Sequence, residues 1–390
     1  MKKIKELLSE LGEACIESFK EDWKFYVILI SITLICFIPV DYYIVVGGGI
    51  NDVSSRIEVE DAFKSKGSYN LSYVRQLKGN FLTFGLSYII PGWDRIETEN
   101  YKYDESESVD DIEFRSDLDL ENANSLAIMN AYKYAGKDVS IKKGYFYVVF
   151  ETDEYDTEFK IRDQIVSING VKLKEVDDFR NSLKSCEVGS KVDVEIIRDK
   201  KEMKVSSPVY ELAGNKILGV GLNYYYDLDM SPKTEIKFKK KERGPSAGLV
   251  TTLSIYDKLV SEDLTHGLKI AGTGTIEADG SIGEIGGVKY KVMGADAGGA
   301  DIFLVPKNNL DEALKVKKDK NIFLLNIGTT TLNNNLSICT LLSNWFAENL
   351  VTISIIENTN IDNTNIFLLS FLLLKNICLI TSEEAIKPNP

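Results

Sequence analysis

Two short stretches hold residues that could do chemistry together. The first is Arg243-Gly244-Pro245-Ser246-Ala247-Gly248, and about 40 residues on comes Gly286-Gly287-Val288-Lys289-Tyr290-Lys291. A serine hydroxyl is a weak nucleophile and needs a base. The chain has one histidine, His266, which excludes a histidine-based metal cluster and speaks against a Ser-His-Asp triad. Lysine is then the natural base. It can act as one only when neutral, so burial must lower its pKa by several units from about 10.4.

The spacing says which elements must position these groups. After the first stretch, Leu249, Val250, Leu253, Tyr256, Leu259 and Val260 recur at intervals that make one apolar helix face. Pro245 suits the first turn of that helix. Ser246 then sits where free N–H groups and the positive dipole end favour an oxyanion, and Gly244 and Gly248 allow close approach of backbone or substrate. The same serine would serve equally as a helix cap, so this motif alone does not separate the two roles.

A second helix starting near Gly287 places Val288, Lys291, Val292 and Ala295 on one stripe, and Lys289 with Met293 and Asp296 on a more polar side. Lys291 is therefore expected to face the core and Lys289 the solvent. A core-facing lysine with no evident carboxylate partner is costly, which makes it a functional candidate. Between the two helices, residues 268–276 read as an apolar strand. Thr273 within it is placed to hydrogen-bond the lysine amine, with Thr275 as the alternative. Residues 301–306 read as the next buried strand of a βαβ unit, and His266 as a surface loop residue.

The whole chain has 390 residues and 44 % hydrophobic content, room for two domains with connecting segments. A net charge of −13 argues against a nucleic-acid partner. Cys15, Cys36, Cys186, Cys339 and Cys378 have neither zinc spacing nor a disulfide pattern, so no metal or cofactor is expected. Lys2, Lys3, Lys5, Lys20 and Lys24 precede an uncharged apolar run over 25–40, and apolar character resumes after Asp41. This predicts a cytoplasmic N-terminus over 1–24 and an uncleaved transmembrane anchor over 25–46, contacting membrane lipid, with the rest outside the cell. Residues 47–137 read as an extracellular β-containing segment in which the acidic 97–121 is a solvated linker and 122–136 is helical. Residues 366–380 offer a second, short apolar run interrupted by Lys375.

Residues 138–212 form a coherent unit: a strand at 145–150, then 159–170 ending on an Asn-Gly turn, a short helix near 176–183, and paired strands at 191–198 and 203–209. The pattern resembles a PDZ domain, with Arg162-Asp163 where Gly-Asp is usual. PDZ domains bind an extended peptide by adding it as a strand to a sheet edge, so the resemblance implies peptide binding.

From Gly244 to about Asn309 the chain resembles the Lon proteolytic domain. The motifs that carry this are Gly-Pro-Ser-Ala-Gly, Thr273-Gly274, residues 285–291 and residues 300–306. The resemblance implies Ser246 as nucleophile and Lys291 as general base, with Thr273, Gly244 and Pro245 supporting. The order of membrane segment, PDZ-like unit and Lon-like unit is similar to membrane-anchored PDZ/Lon-like peptidases of Gram-positive bacteria, as are residues 39–49 and 123–137. Arg243 departs from the small or acidic residue common before Gly-Pro-Ser. No Gly-x-x-x-x-Gly-Lys-Ser/Thr phosphate loop occurs in the 390 residues.

The expected fold is thus α+β and multidomain: the anchor, a PDZ-like β-rich domain over 138–212, a Lon-type α/β proteolytic domain over 213–320, and a divergent region over 321–390. The expected function is an ATP-independent serine endopeptidase acting on peptides or unfolded segments outside the cell. The alternatives are a non-catalytic membrane-tethered peptide-binding protein and an amidase-type serine–lysine hydrolase. Lon domains often form rings, so the resemblance also raises a homo-oligomer.

Overall fold

The computed structural model describes residue 20 and residues 22–103, 107–239, 242–317 and 322–327. The expectations for 1–19, for 366–380 and for the region beyond residue 327 lie outside the described residues.

Along the chain the helices are α1 (Trp23–Cys36), α2 (Phe81–Leu86), α3 (Val109–Tyr134), α4 (Val176–Lys184), α5 (Gly248–Leu259), α6 (Val288–Ala297) and α7 (Leu310–Lys317). The first strands are β1 (Pro39–Asp52), β2 (Ile57–Val59), β3 (Ser68–Asn80), β4 (Asp94–Glu97) and β5 (Asp138–Glu151). Next come β6 (Gln164–Ile168), β7 (Val171–Lys172), β8 (Lys191–Arg198), β9 (Lys201–Pro208), β10 (Tyr210–Leu212) and β11 (Asn215–Ile217). The last are β12 (Val220–Ser231), β13 (Thr234–Ile236), β14 (Lys269–Gly272), β15 (Ile302–Pro306) and β16 (Phe323–Ile327).

One mixed sheet has the order β16-β15-β14-β3-β1-β4. β16, β15, β14 and β3 are parallel, and β1 runs antiparallel to β3 and β4. Parallel neighbours need crossovers, usually helical, and here α6 joins β14 to β15 and α7 joins β15 to β16. The core beneath them gathers Ala271, Val288, Val292, Ala295, Phe303 and Val305.

This sheet corrects the reading of 25–46 as one membrane span. Residues 39–46 belong to β1, where Ile44, Val45 and Val46 are buried. A short apolar run has the same composition in a buried strand and in a membrane segment. Only α1 remains of the expected span. Its 14 residues reach about 21 Å at 1.5 Å per residue. Among the described residues no helix is long and apolar enough to cross a membrane.

The acidic linker is also corrected. Residues 109–134 form a single 26-residue helix. Ser108 caps it, its Oγ accepting from Asp111 N–H at 3.2 Å, and Asp110 and Asp111 sit in the first turn where the helix dipole favours them. Its buried stripe runs through Ile112, Leu118, Ala123, Leu126 and Ala127. The helix packs on α5, and Asn130 Nδ2 donates to Glu277 O at 2.9 Å.

The second sheet is antiparallel, in the order β12-β5-β6-β8-β9, with β7 paired to β6. Its core holds Phe146, Val148, Ile165, Ile168, Leu183, Val194 and Ile196. The boundary read at 212/213 is therefore displaced, because β12 completes this sheet with a ladder running from Val220↔Glu151 to Ser231↔Asp138. The chain then returns to the first sheet's unit through β13, which pairs with β2. The second sheet is thus an insertion between two halves of the unit that holds Ser246 and Lys291.

Candidate active site

Lys291 is where the helical spacing puts it. Val288, Lys291, Val292 and Ala295 are all buried, Lys291 to 4 % exposure. Lys289 faces outward, and its Nζ pairs with Asp94 Oδ2 at 3.0 Å. Three contacts fix the helix that carries Lys291. Gly287 enters it in the left-handed region at φ 71°, a conformation glycine adopts without steric cost. Asn309 ties the preceding loop from both sides, accepting from Ile285 N–H at 2.9 Å and donating to Ile285 O at 3.0 Å. Ser72, buried on β3, donates through Oγ to Lys291 O at 2.6 Å.

The amine of Lys291 donates to Thr273 Oγ1 at 3.0 Å. Thr273 lies just beyond the carboxyl end of β14, where open α/β sheets place their sites. Its hydroxyl donates in turn to Ser246 O at 3.2 Å, and Gly274 N–H donates to the same oxygen at 3.0 Å. Among the described residues Lys291 has no carboxylate partner, and it shares no hydrogen bond with the Ser246 hydroxyl. Burial alone pulls its pKa down from 10.5 to about 8. The structure thus brings Ser246, Thr273 and Lys291 together, with Thr273 as the shared link.

Ser246 sits in the 3-10 turn Pro245–Ala247 that runs directly into α5, and it is half-buried. Gly244 precedes it at φ 86°, and its N–H donates to Ser116 O at 2.8 Å. Arg243 pairs with Glu113 Oε2 at 2.8 Å and Asp117 Oδ1 at 2.6 Å. The departure at Arg243 thus has a partner: the acidic face of α3 clamps the chain on the approach to Ser246. His266 lies exposed in the loop before β14, at the opposite end of that strand from Thr273.

Ser72, Asn309, Glu113 and Asp117 were not singled out from sequence. Their roles depend on pairings between distant segments, and no local pattern announces them.

A packing constraint yields one prediction. A Cβ on Gly294 would lie 2.9 Å from Gly49 N and 3.1 Å from its Cα and O. Backbone atoms cannot yield cheaply, so Gly294→Ala should push α6 off β1. We expect a loss of about 1–3 kcal/mol in chemical denaturation. Any reaction that relies on Lys291 as its base should slow about tenfold or more, because a displacement of the order of 1 Å misaligns reacting groups. Unchanged stability would mean that α6 does not depend on this approach.

Two family descriptions match the chain: "PDZ domain" over residues 147–209 and "Lon protease (S16) C-terminal proteolytic domain" over residues 239–332. The first falls within the second sheet, and the second contains Ser246, Thr273 and Lys291. Similar curated proteins include the Lon protease of Campylobacter concisus, 29 % identical over 152 residues, which is 37 % of this chain and 18 % of that protein. The Lon protease of Clostridium acetobutylicum is 29 % identical over 118 residues, 30 % of this chain and 15 % of that protein. The Lon protease of Mesomycoplasma hyopneumoniae is 41 % identical over 66 residues, 17 % of this chain and 7 % of that protein. The chain therefore spans less than a fifth of the length of these relatives.

Among solved structures, the PDZ domain of an SdrC-like protein from Listeria monocytogenes matches at 22 % identity and a TM-score of 0.18, covering 20 % of this chain and 85 % of that one. A solution structure from Geobacillus thermodenitrificans matches at 20 % identity and a TM-score of 0.17, covering 19 % and 85 %.

Proposed function

We propose that this chain is an ATP-independent, membrane-anchored serine endopeptidase. In this reading Lys291 activates Ser246, and the PDZ-like unit captures peptide or unfolded protein segments. The observation that carries the reading is the buried Lys291 amine, which has no carboxylate partner among the described residues, is tied to Thr273, and is held at a pKa of about 8. A purely structural lysine would not keep so costly a position.

In the reaction, neutral Lys291 takes the proton of Ser246 Oγ as that oxygen attacks a peptide carbonyl. Thr273 keeps the amine in line. Backbone N–H groups at the start of α5 stabilise the oxyanion. The C–N bond breaks as protonated Lys291 gives its proton to the leaving amine, and an acyl-serine remains. Water then attacks the ester, Lys291 accepts its proton and passes it to Ser246 Oγ as the ester C–O bond breaks, and the peptide acid departs, which restores the neutral amine and the free hydroxyl.

The membrane reading rests on α1. It is uncharged from Phe25 to Cys36, and none of its residues is buried; Phe25, Ile28 and Leu34 are all exposed. Beside its end, Phe81 N–H donates to Ile38 O at 3.1 Å, and Phe81, Leu82, Tyr88 and Ile89 add further exposed apolar surface. The lysines preceding α1 favour an orientation with the N-terminus in the cytoplasm and the rest of the chain outside. In this reading the order of segments resembles that of membrane-anchored PDZ/Lon-like peptidases of Gram-positive bacteria.

The test is cleavage of an unfolded polypeptide by purified protein across pH. The base must be neutral, so kcat/KM should rise about tenfold per pH unit from about pH 5 and level off above about pH 8. A flat profile over that range would sink the lysine base, and no cleavage at any pH would sink the peptidase.

A further inference from the structure

The residues matched as a PDZ domain end at 209, yet the sheet they form is completed by a strand from outside that match. Without β12 the sheet would present two edges, β5 and β9. β12 fills the β5 edge over twelve residues. Leu222, Tyr224 and Tyr226 alternate along β12 and pack with Val176 and Phe179 of α4 against the core of this sheet. The Tyr226 hydroxyl accepts from Val176 N–H at 3.4 Å, and the Tyr224 ring stacks on Phe146 at 5.9 Å between centroids.

The intervening residues face the other way, onto α3. Asn223 Nδ2 donates to Asp119 Oδ1 at 2.7 Å, Asn122 Nδ2 donates to Tyr224 O at 2.8 Å, and Tyr225 stacks on Tyr145 at 4.8 Å. β12 therefore sits as an added strand does in β-augmentation, with main-chain pairing for affinity and alternate side chains for specificity. It does not stop at Gly144. The ladder continues through Asp227↔Lys143 to Ser231↔Asp138, so the edge accommodates a chain that runs on.

We propose that the β5 edge takes an internal extended segment with large apolar or aromatic side chains at alternate positions. β12 is the chain's own copy of such a ligand, and a substrate segment gains the edge by exchanging with it. This rests on the reading of the PDZ-like unit as a peptide-capturing module. It adds the chemistry of what is captured, and it requires no free carboxylate on the ligand.

The experiment uses the full chain carrying Ser246→Ala, so that no probe is consumed and the outcome is independent of catalysis. One probe is a fluorescent peptide with the sequence of residues 218–231. A second carries serine in place of Leu222, Tyr224 and Tyr226, and a third ends at Tyr226 with a free carboxylate. Each is titrated against the chain with β12 intact and against Tyr224→Ser/Tyr226→Ser.

The first probe should bind the weakened chain at least about tenfold more tightly than the intact one. The serine probe should bind neither, and ending the peptide at Tyr226 should bring no gain. Equal binding to both chains, binding indifferent to the aromatic positions, or a requirement for the free carboxylate would overturn the proposal. Amide exchange in the intact chain covers a variant that fails to fold. Without added peptide, the amides of residues 144–151 should exchange slowly, and fast exchange there would overturn the proposal equally. If cleavage were absent from the parent protein while these binding results held, only the peptidase reading would fall.

Discussion

Replacing Lys291 by methionine is expected to abolish cleavage and to make the protein more stable. The side chains are similar in length, and the site is 4 % exposed, so methionine should fill the space. The amine loses its proton near pH 8 in the folded chain and near 10.5 when unfolded. Below pH 8 the folded state bears the full cost of a buried charge, about 3 kcal/mol for a shift of this size. Between those two values the unfolded chain holds more protons, so the parent gains stability as pH rises, and above about 10.5 the cost is gone. Methionine carries no such cost but gives up the bond to Thr273, worth about 1 kcal/mol. The variant should therefore be more stable by about 2 kcal/mol at pH 6–7 and lose that advantage as pH climbs past 8. Cleavage should fall by about a thousandfold or more. Denaturant titrations at several pH values read the first effect and peptide hydrolysis the second. A variant less stable than the parent at pH 6 would refute the account of Lys291 as a desolvated amine.

Ser246→Ala should lose as much activity with no change in stability. Among the described residues the Ser246 hydroxyl makes no hydrogen bond. Its carbonyl does the structural work, accepting from Gly274 N–H and Thr273 Oγ1. Alanine keeps that carbonyl, so the stability change should stay within about 0.5 kcal/mol. The rate should drop about a thousandfold or more, as when a nucleophile is removed from a coupled pair. Two inactive variants, one more stable than the parent and one unchanged, would separate a nucleophile from its base. Lys289→Ala is the control, because its exposed pair with Asp94 contributes about 1 kcal/mol at most and it should cleave normally. More than a tenth of parental activity in Ser246→Ala would move the nucleophile elsewhere.

The geometry around Lys291 was legible in sequence because helical period alone decides which of Lys289 and Lys291 turns inward. The strand that leads to Thr273 was legible from its apolar run, but it is shorter than the 268–276 expected: β14 ends at Gly272 and Thr273 lies just beyond it. Ile44 to Val46 were not, because an apolar run reads alike in a membrane and in a buried strand until its partner β3 is known. The acidic stretch hid α3 because its charges are answered from far away. Glu113 and Asp117 meet Arg243, and Asp119 meets Asn223. β12 was equally opaque: its tyrosines read as part of the following domain until the ladder to β5 assigns them to the preceding one.

The placement of the second sheet inside the first unit also bears on the order in which the protein is made. β14 pairs with β3 across about 200 residues, Lys269 opposite Ser68. Long closures of this kind form late and slowly. Chains emerge N-terminus first, so β3 can pair with β1 at once but must wait for β14 while the inserted sheet is synthesised. That sheet can close on itself beforehand, because Ser231 pairs with Asp138 and brings the ends of the insertion together. Thr273 N–H, in turn, bonds to Leu304 O on β15. A growing chain therefore carries Ser246 for some 60 residues before Leu304 of β15, which seats Thr273, has been made; on the proposed mechanism, a nascent chain of that length would hold its serine without the support its base requires.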